Sequence, residues 1–534
     1  MLTFFVIIPV FLAILLYLQS TNKTAKILAI IFQSLLFFAS IYLVMITRDI
    51  HEADMVVFVG SYADVLGIIL RANSLSAVFI LLTTFIFLAI SVYSYSYKEQ
   101  RDTRTFWFLM FLLEASFIGL FLSGDMFNIF VLVEVSTLVT VILAMYDRES
   151  RNIFYGKVYL MANIVATQFY LLGLGYIYRL TGTMDIVRAT EILERADRAN
   201  LILPYALIMT TIAFKCSLIP FFSWSPKVRI YPKSPTVVAA IISGLHVKTA
   251  VYLLLCFQDI FINVASGEFI LIAGIIAGLA GTVMAICQTD IKMILAYHTV
   301  SQVGLIVIGI SMGNEYSYVG GLYHIISHAM FKTTLFLSTG IIIHAYGTAD
   351  VYKIRGVMKR MPLVGIATAA AILGITGAPF FIGSVSKYFI AYEAHPVVNV
   401  VIILISLGTI ISFVKFATVL FGHCDLVGDI PKAEKYRIAP VFVMGMICLA
   451  GGLFGTQFIY FLFRYRVGID AAGYVQKSLI FAVSAVVGYF IYKYAVSGND
   501  TLKHFGGVVF SFKSICASCG VFLGVMLGVL GFIM

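Results

Sequence analysis

Five lysines of this chain stand inside long apolar runs: Lys215, Lys248, Lys332, Lys387 and Lys415. A lysine at the centre of a membrane helix costs about 2.5–3.5 kcal/mol on insertion scales. Five together cost on the order of 10–15 kcal/mol, comparable to the whole stability of a typical domain. Near a helix end the long stem can carry the ammonium back to the interface. That escape fits Lys157, next to a loop, and Lys415, but not the other four, which have roughly ten or more apolar residues on at least one side. A buried lysine beside a movable carboxylate is a switchable proton site. The sequence offers two such carboxylates, Glu134 within Phe130 to Leu138 and Glu114 one span earlier. Each must be protonated or paired at that depth. A neutral carboxyl that joins two helices is the alternative role, more so for Glu114, beside which the sequence shows no obvious partner.

One segment, Leu322 to Lys332, is denser in signal. His324, His328 and Lys332 recur every four residues, which stacks them on one helix face. Two histidines at this spacing can bind zinc, but the glutamate of H-E-x-x-H is missing. A stripe of imidazoles ending in an ammonium suits a proton relay, since imidazole titrates near pH 6.5. His246 lies two residues from Lys248 and so points to a different face.

These groups need helices to hold them at depth, and the composition supplies little else. Of 534 residues, 61% are hydrophobic and 12% charged, where a soluble domain carries roughly a quarter charged. Apolar runs of about 20 residues, each able to cross a bilayer core of about 30 Å, recur from end to end. The short alternating segments of a barrel are absent. The expected fold is an all-α polytopic membrane protein with sixteen spans, good to one either way. Among them are the fifth near 127–146, the seventh near 202–224, the eighth near 235–258, the eleventh near 317–345 and the twelfth near 364–392. The last two lie near 477–496 and 514–533. The formal net charge of +10 sits in short loops and does not point to nucleic acid. About 22 of the 36 basic residues fall in odd-numbered loops and about 9 in even ones. Odd loops are therefore expected on the cytoplasmic side and both termini outside. The first segment, Met1 to Leu18, lacks a basic n-region and reads as a retained span. Cys516 and Cys519 form a CxxC without a second pair, so they read as small buried residues and not as a metal site.

Two spans carry helix breakers beside their lysines. Phe214 to Pro220 continues through Ser223 to Pro226, and Gly374 to Pro379 is followed by Gly383 and Lys387. Proline frees backbone carbonyls, which at membrane depth are tolerated only inside protein or against a wet cavity. Broken helices in matching positions of two halves are the best sequence pointer to an ion path. Here they are spans 7 and 12. Units of spans 4–8 and 9–13 would have opposite topology, because five is odd. The expected organisation is a three-span region over 1–104, five-helix repeats over 105–258 and 259–425, and C-terminal spans over 426–534.

The stretches Met126 to Glu134, Phe214 to Pro220, Ser234 to Tyr252 and Asp290 to Gly304 resemble the antiporter-like membrane subunits. Mrp cation/proton antiporters, respiratory complex I and membrane-bound hydrogenases share that family. His324 to Lys332 and Gly377 to Lys387 fit it too. The likeness covers about residues 75–425 and is nearest to the D-type Mrp subunit. It implies fourteen helices, two inverted five-helix repeats and broken helices seven and twelve. It also implies a Glu134–Lys215 pair, Lys248 as central relay, His328 and Lys332 continuing the axis, and Lys387 as exit site. The loop Ser225 to Thr236 lacks the acidic or histidine residue usual near its start. No long amphipathic helix precedes the last two spans, unlike the subunit type bearing a lateral helix.

The expectation is thus an ion-translocating subunit of a multi-subunit complex in a prokaryotic plasma membrane. It would move protons, with or without sodium, among other membrane subunits and lipid. The sequence shows no nucleotide loop, iron–sulfur cysteine set or haem ligand arrangement, so no cofactor is expected in this chain and redox chemistry would belong to partner chains. A self-sufficient transporter of a small solute is the alternative.

Overall fold

Helix length here follows from the apolar runs, each of which must satisfy its backbone internally once water is excluded. The computed structural model describes residues 1–19, 23–49, 54–59, 68–96, 103–146, 150–218, 231–232, 234–264, 267–423, 435–506 and 511–532. The chain opens with helices α1 (Leu2–Gln19) and α2 (Lys23–Asp49), strands β1 (Met55–Val59) and β2 (Ile68–Ala72), and α3 (Ser74–Tyr93). There follow α4 (Thr103–Leu122), α5 (Met126–Ala144), α6 (Ser150–Thr181), a short α7 (Ile186–Leu193) and α8 (Arg198–Cys216). The next spans are α9 (Thr236–Ile260), α10 (Gly267–Ile286), α11 (Ile291–Ser311) and α12 (Glu315–Tyr346). A broken span is made of α13 (Pro362–Thr376) and α14 (Ile382–Ile390), and α15 (Pro396–Ala417) follows it. The chain continues with α16 (Lys435–Leu453), α17 (Gly455–Phe463), α18 (Ala471–Val496), α19 (Asp500–Phe505) and α20 (Phe512–Phe532).

Fifteen of these helices are long and apolar enough to cross a membrane. With α13 and α14 counted as one interrupted span, that is the sixteen read from the sequence. Helices α9 and α11 are buried along their whole apolar length and α12 along nearly all of it, whereas α1, α2, α18 and α20 leave most of theirs exposed. A helix apolar all round belongs inside a bundle or against lipid, and both kinds are present. Helices α10 and α11 touch through their backbones, where Gly304 sits so near α10 that an added Cβ would meet the Gly278 Cα at 2.7 Å. Small residues give this contact because dispersion between touching backbones holds membrane helices together.

The two strands are an addition to the all-α expectation, which left residues 47–73 as loop. They pair antiparallel from Met55↔Ala72 to Val59↔Ile68. Leu70 bridges on to Ser123, and the Gly124 amide donates to the Ile69 carbonyl at 2.8 Å. Arg71 reaches both Asp54 (3.1 Å) and Asp185 (3.6 Å), which ties the hairpin to the start of α7.

An isolated antiparallel bridge joins Asp125 to Asp185, and a second joins Asp290 to Asp350. Both partners recur 165 residues on (290 − 125 and 350 − 185). The Met126 amide donates to the Met184 carbonyl (2.9 Å), as the Ile291 amide does to Ala349 (3.0 Å). Asp125 caps α5 through the Asn128 amide, as Asp290 caps α11 through the Lys292 and Met293 amides. Each bridge pins the entry of one span beside the end of another, at equivalent places in chain order.

The C-terminal segment runs across the molecule. Helix α18 packs on α15, Gly506 after α19 accepts a 3.2 Å bond from the Gln288 side chain between α10 and α11, and α20 packs on α6 and α8.

Candidate functional site

Lys215 lies in the last turn of α8, which Ser217 ends with a left-handed φ of 56°. The breakers Pro220, Ser223 and Pro226 and most of the loop Ser225 to Thr236 fall outside the described residues. The Lys215 Nζ donates to Asn163 Oδ1 on α6 at 2.8 Å and to Thr137 Oγ1 on α5 at 3.0 Å. Asn163 Nδ2 in turn donates to Glu134 Oε1 at 3.3 Å. Glu134 and Lys215 therefore form no direct ion pair. One amide stands between them, its two ends matching the two charges. Glu134 and Thr137 share a face of α5 because they are three residues apart.

Inside α9 the ladder widens to a π turn over Ile242–His246. Such bulges shift one residue out of register and leave a carbonyl in need of a donor. The Ser243 carbonyl receives that bond from Lys248 Nζ at 2.9 Å. The same ammonium hydrogen-bonds His328 Nδ1 on α12. His246, in the π turn, packs its ring against Phe117, 6.0 Å away between centroids. Between the end of α8 and this point lies a cavity of about 10 Å³, lined by Ser217, Tyr231 and Thr299 among others. It is the size of a single water. The Thr299 hydroxyl reaches Ser243 Oγ at 2.7 Å, so small polar groups span the gap from Lys215 towards Lys248.

All three residues of the α12 stripe are fully buried. One turn from His328, His324 bonds Ser386 Oγ on α14 (2.8 Å) and Gln302 Oε1 on α11 (3.2 Å). Ser386 precedes Lys387, whose Nζ donates to the carbonyls of Ile375 (2.9 Å) and Thr376 (3.1 Å). Those carbonyls end α13, where the break leaves them without an amide partner and the helix dipole is negative. Gly377 (φ 84°) makes this reach possible, since a Cβ there would lie 2.9 Å from Lys387 Cδ. Lys332 donates to the Leu295 carbonyl on α11. Near it, His298 is buried against the Phe413 ring at 4.8 Å, and neither ring nitrogen has a hydrogen-bond partner among the described residues.

Two groups stand off the row. Lys415 donates to the carbonyls of Ile286 and Gln288, both at 2.6 Å, and so caps the C-terminus of α10. Glu114 is fully buried on α4 and accepts a 2.6 Å bond from Gln33 on α2, a partner the sequence did not reveal. Among the described residues no cluster of histidine, cysteine and carboxylate groups could hold a metal ion.

Sequence reasoning passed over Asn163, Thr137, Gln302, Ser386 and His298. A signal for two of them existed, since Asn163 and Thr137 precede His328 and Gln302 by the same 165 residues that separate the paired bridges (328 − 163 and 302 − 137).

Residues 123–412 match the family model described as NADH:quinone oxidoreductase/Mrp antiporter, TM. The N-type subunit of the NADH-quinone oxidoreductase of Desulforudis audaxviator is 30% identical over 444 residues, covering 77% of this chain and 87% of that protein. The D-type subunit of the Na(+)/H(+) antiporter of Alkalihalophilus pseudofirmus is 28% identical over 386 residues, covering 70% and 77%. Among solved structures, a chain of the Mrp complex from Dietzia sp. superposes with a TM-score of 0.78 at 23% identity, covering 91% of this chain and 99% of that one. With more than half of its length matched by the family model, the chain belongs to the NADH:quinone oxidoreductase/Mrp antiporter membrane family.

Proposed function

We propose that this chain is the ion-translocating, antiporter-like subunit of a multi-subunit membrane complex and carries protons along a mid-membrane row. The row runs from Glu134 through Asn163 to Lys215, then by Thr299 and Ser243 to Lys248, His328, His324 and Lys387. Lys332 and His298 flank it. The observation that carries the reading is that every member is held by another helix through a hydrogen bond or faces the one-water cavity. The duplicated bridges support reading the two halves as five-helix units, the first (105–258) holding Lys248 and the second (259–425) holding Lys387.

In this row the proton on Glu134 sets the pull on Lys215 through the Asn163 amide. Each later step is a local change of charge, strengthened by the low dielectric of the interior, and neighbours pass it on only if they interact by more than about one pK unit. The Mrp relative is named for sodium and protons, and sodium is the counter-ion we assign if this complex is an antiporter. The loop charges support cytoplasmic odd-numbered loops and outer termini in a prokaryotic plasma membrane.

The test is ion flux in reconstituted vesicles, with and without sodium, together with mass identification of co-purifying subunits. Glu134→Ala or Lys215→Ala should abolish flux at unchanged expression, and Lys248→Met should do the same. Wild-type flux in all three refutes the row. Purification as a solitary, fully active chain favours a self-sufficient transporter instead.

A further inference from the structure

The family resemblance implied no role for the C-terminal spans, yet α18 is built into the break of the twelfth span. Tyr474 Oη accepts from the Phe380 amide at 3.0 Å and bonds Ser384 Oγ at 2.9 Å. Phe380 has a left-handed φ of 69°, so its amide points away from both half-helices and needs an outside acceptor. Asp470, the N-cap of α18, donates its own amide to Tyr388 Oη at 3.2 Å. One turn of α18 thus clasps the unwound segment that carries Lys387.

Behind this clasp is a cavity of about 80 Å³, lined by Ser384, Lys387, Asn399, Ser406, Tyr474 and Lys477 among others. It has room for several waters. Lys477 is half-buried and donates to Asn399 Oδ1 at 3.1 Å. The titratable groups on the wall are therefore Lys387 and Tyr388 from α14 and Tyr474 and Lys477 from α18, and among the described lining residues there is no carboxylate. The nearby Asp470 side chain is turned away to cap its own helix, accepting from the Gly473 amide at 2.7 Å.

We propose that this vestibule is the port by which protons exchange with Lys387, and that Lys477 is its specificity-determining residue, closing it to sodium and other alkali cations. The inference rests on the relay proposed above and adds which ion can use its Lys387 end. At an effective dielectric near 20, one ammonium about 6 Å away disfavours a monovalent cation by roughly a hundredfold. The carbonyls freed at the end of α13, of the kind that coordinate sodium in other broken helices, are already taken by the Lys387 ammonium. A proton does not need to reside in the vestibule as a cation. The N–H bond of Lys387 breaks, its proton joins a hydroxide in the vestibule, and the products are a neutral amine and one water. The Lys477 charge concentrates hydroxide at that place.

The experiment uses the chain purified with its partner subunits. Ser478→Cys, on the vestibule wall, is reacted with anionic and cationic methanethiosulfonate reagents, counting the increment over the native cysteines. The anionic reagent should react at least tenfold faster, and adding Lys477→Glu should abolish or reverse that preference. In vesicles, sodium should not slow proton flux at the Lys387 end of the wild type, and should slow it severalfold in Lys477→Glu. Absence of labelling, or a reagent preference that ignores the charge at 477, overturns the port. Flux in Lys477→Glu as indifferent to sodium as the wild type overturns the specificity role. The thiol reaction needs no transport, so failure of the relay, seen as wild-type flux in Lys248→Met, is told apart from failure of the port.

Discussion

Replacing Asn163 by aspartate tests the row at its most specific point. The amide holds Lys215 at 2.8 Å and Glu134 at 3.3 Å, so the two charges are at most about 8 Å apart across it. At an effective dielectric of 20 that separation is worth about 2 kcal/mol, weak enough for a proton arriving at Glu134 to alter Lys215 without trapping it. Asn163→Asp is isosteric and puts a carboxylate in direct contact with the ammonium, where the same estimate gives about 6 kcal/mol. The excess over the Glu134 contribution, about 4 kcal/mol, holds the charge on Lys215 roughly a thousandfold more strongly. Lys215 would then keep its proton regardless of Glu134. Proton flux in reconstituted vesicles should fall at least thirtyfold at unchanged expression and assembly, with thermal stability lowered by about 1–3 kcal/mol because Glu134 loses the donor it had in the Asn163 amide. Flux within twofold of wild type would mean that Glu134 and Lys215 are not coupled through this amide, and the first step of the mechanism would have to be abandoned.

Other substitutions separate scaffold from path. Lys415→Met removes the cap from α10 and leaves the Ile286 and Gln288 carbonyls unpaired, at a cost of about 1–3 kcal/mol. Thermal unfolding in detergent should show the loss while flux per folded molecule is kept, and a drop in flux at unchanged stability would move Lys415 into the path. Gly304→Val forces α10 and α11 apart where Gly278 lies against it, an overpacking penalty of about 1–3 kcal/mol or more. The folded yield should collapse, and a normal yield would mean that the two helices are not held by close contact.

The spans and the buried lysines could be read from the sequence because each rests on one strong term. An apolar run of twenty residues has few alternatives to a helix in a bilayer, and an ammonium within it is costly wherever it points. The i, i+4 stripe was legible for the same reason, since helical periodicity fixes its face. The partners were not. Asn163, Thr137 and Ser386 are neutral residues of kinds that commonly bond their own helix, and nothing local marks which of them turns outward. The carbonyls of Ser243, Ile375 and Thr376 become acceptors only where a π turn or a break frees them. Glu114 looked solitary because Gln33 is 81 positions away in the chain. The hairpin was missed because its strands are five residues each and lie between two overwhelming helical signals.

The path of the last seventy residues sets a limit on how neighbours can be arranged. With α18 lying along α15 and α20 along α6 and α8, the tail occupies two separate flanks of the bundle with its own helices. A subunit that approached the vestibule from the flank covered by α18 would meet that helix before it met Lys387. Such a neighbour would communicate with the row by shifting the clasp that α18 makes on the broken helix, and not by touching the buried charges themselves.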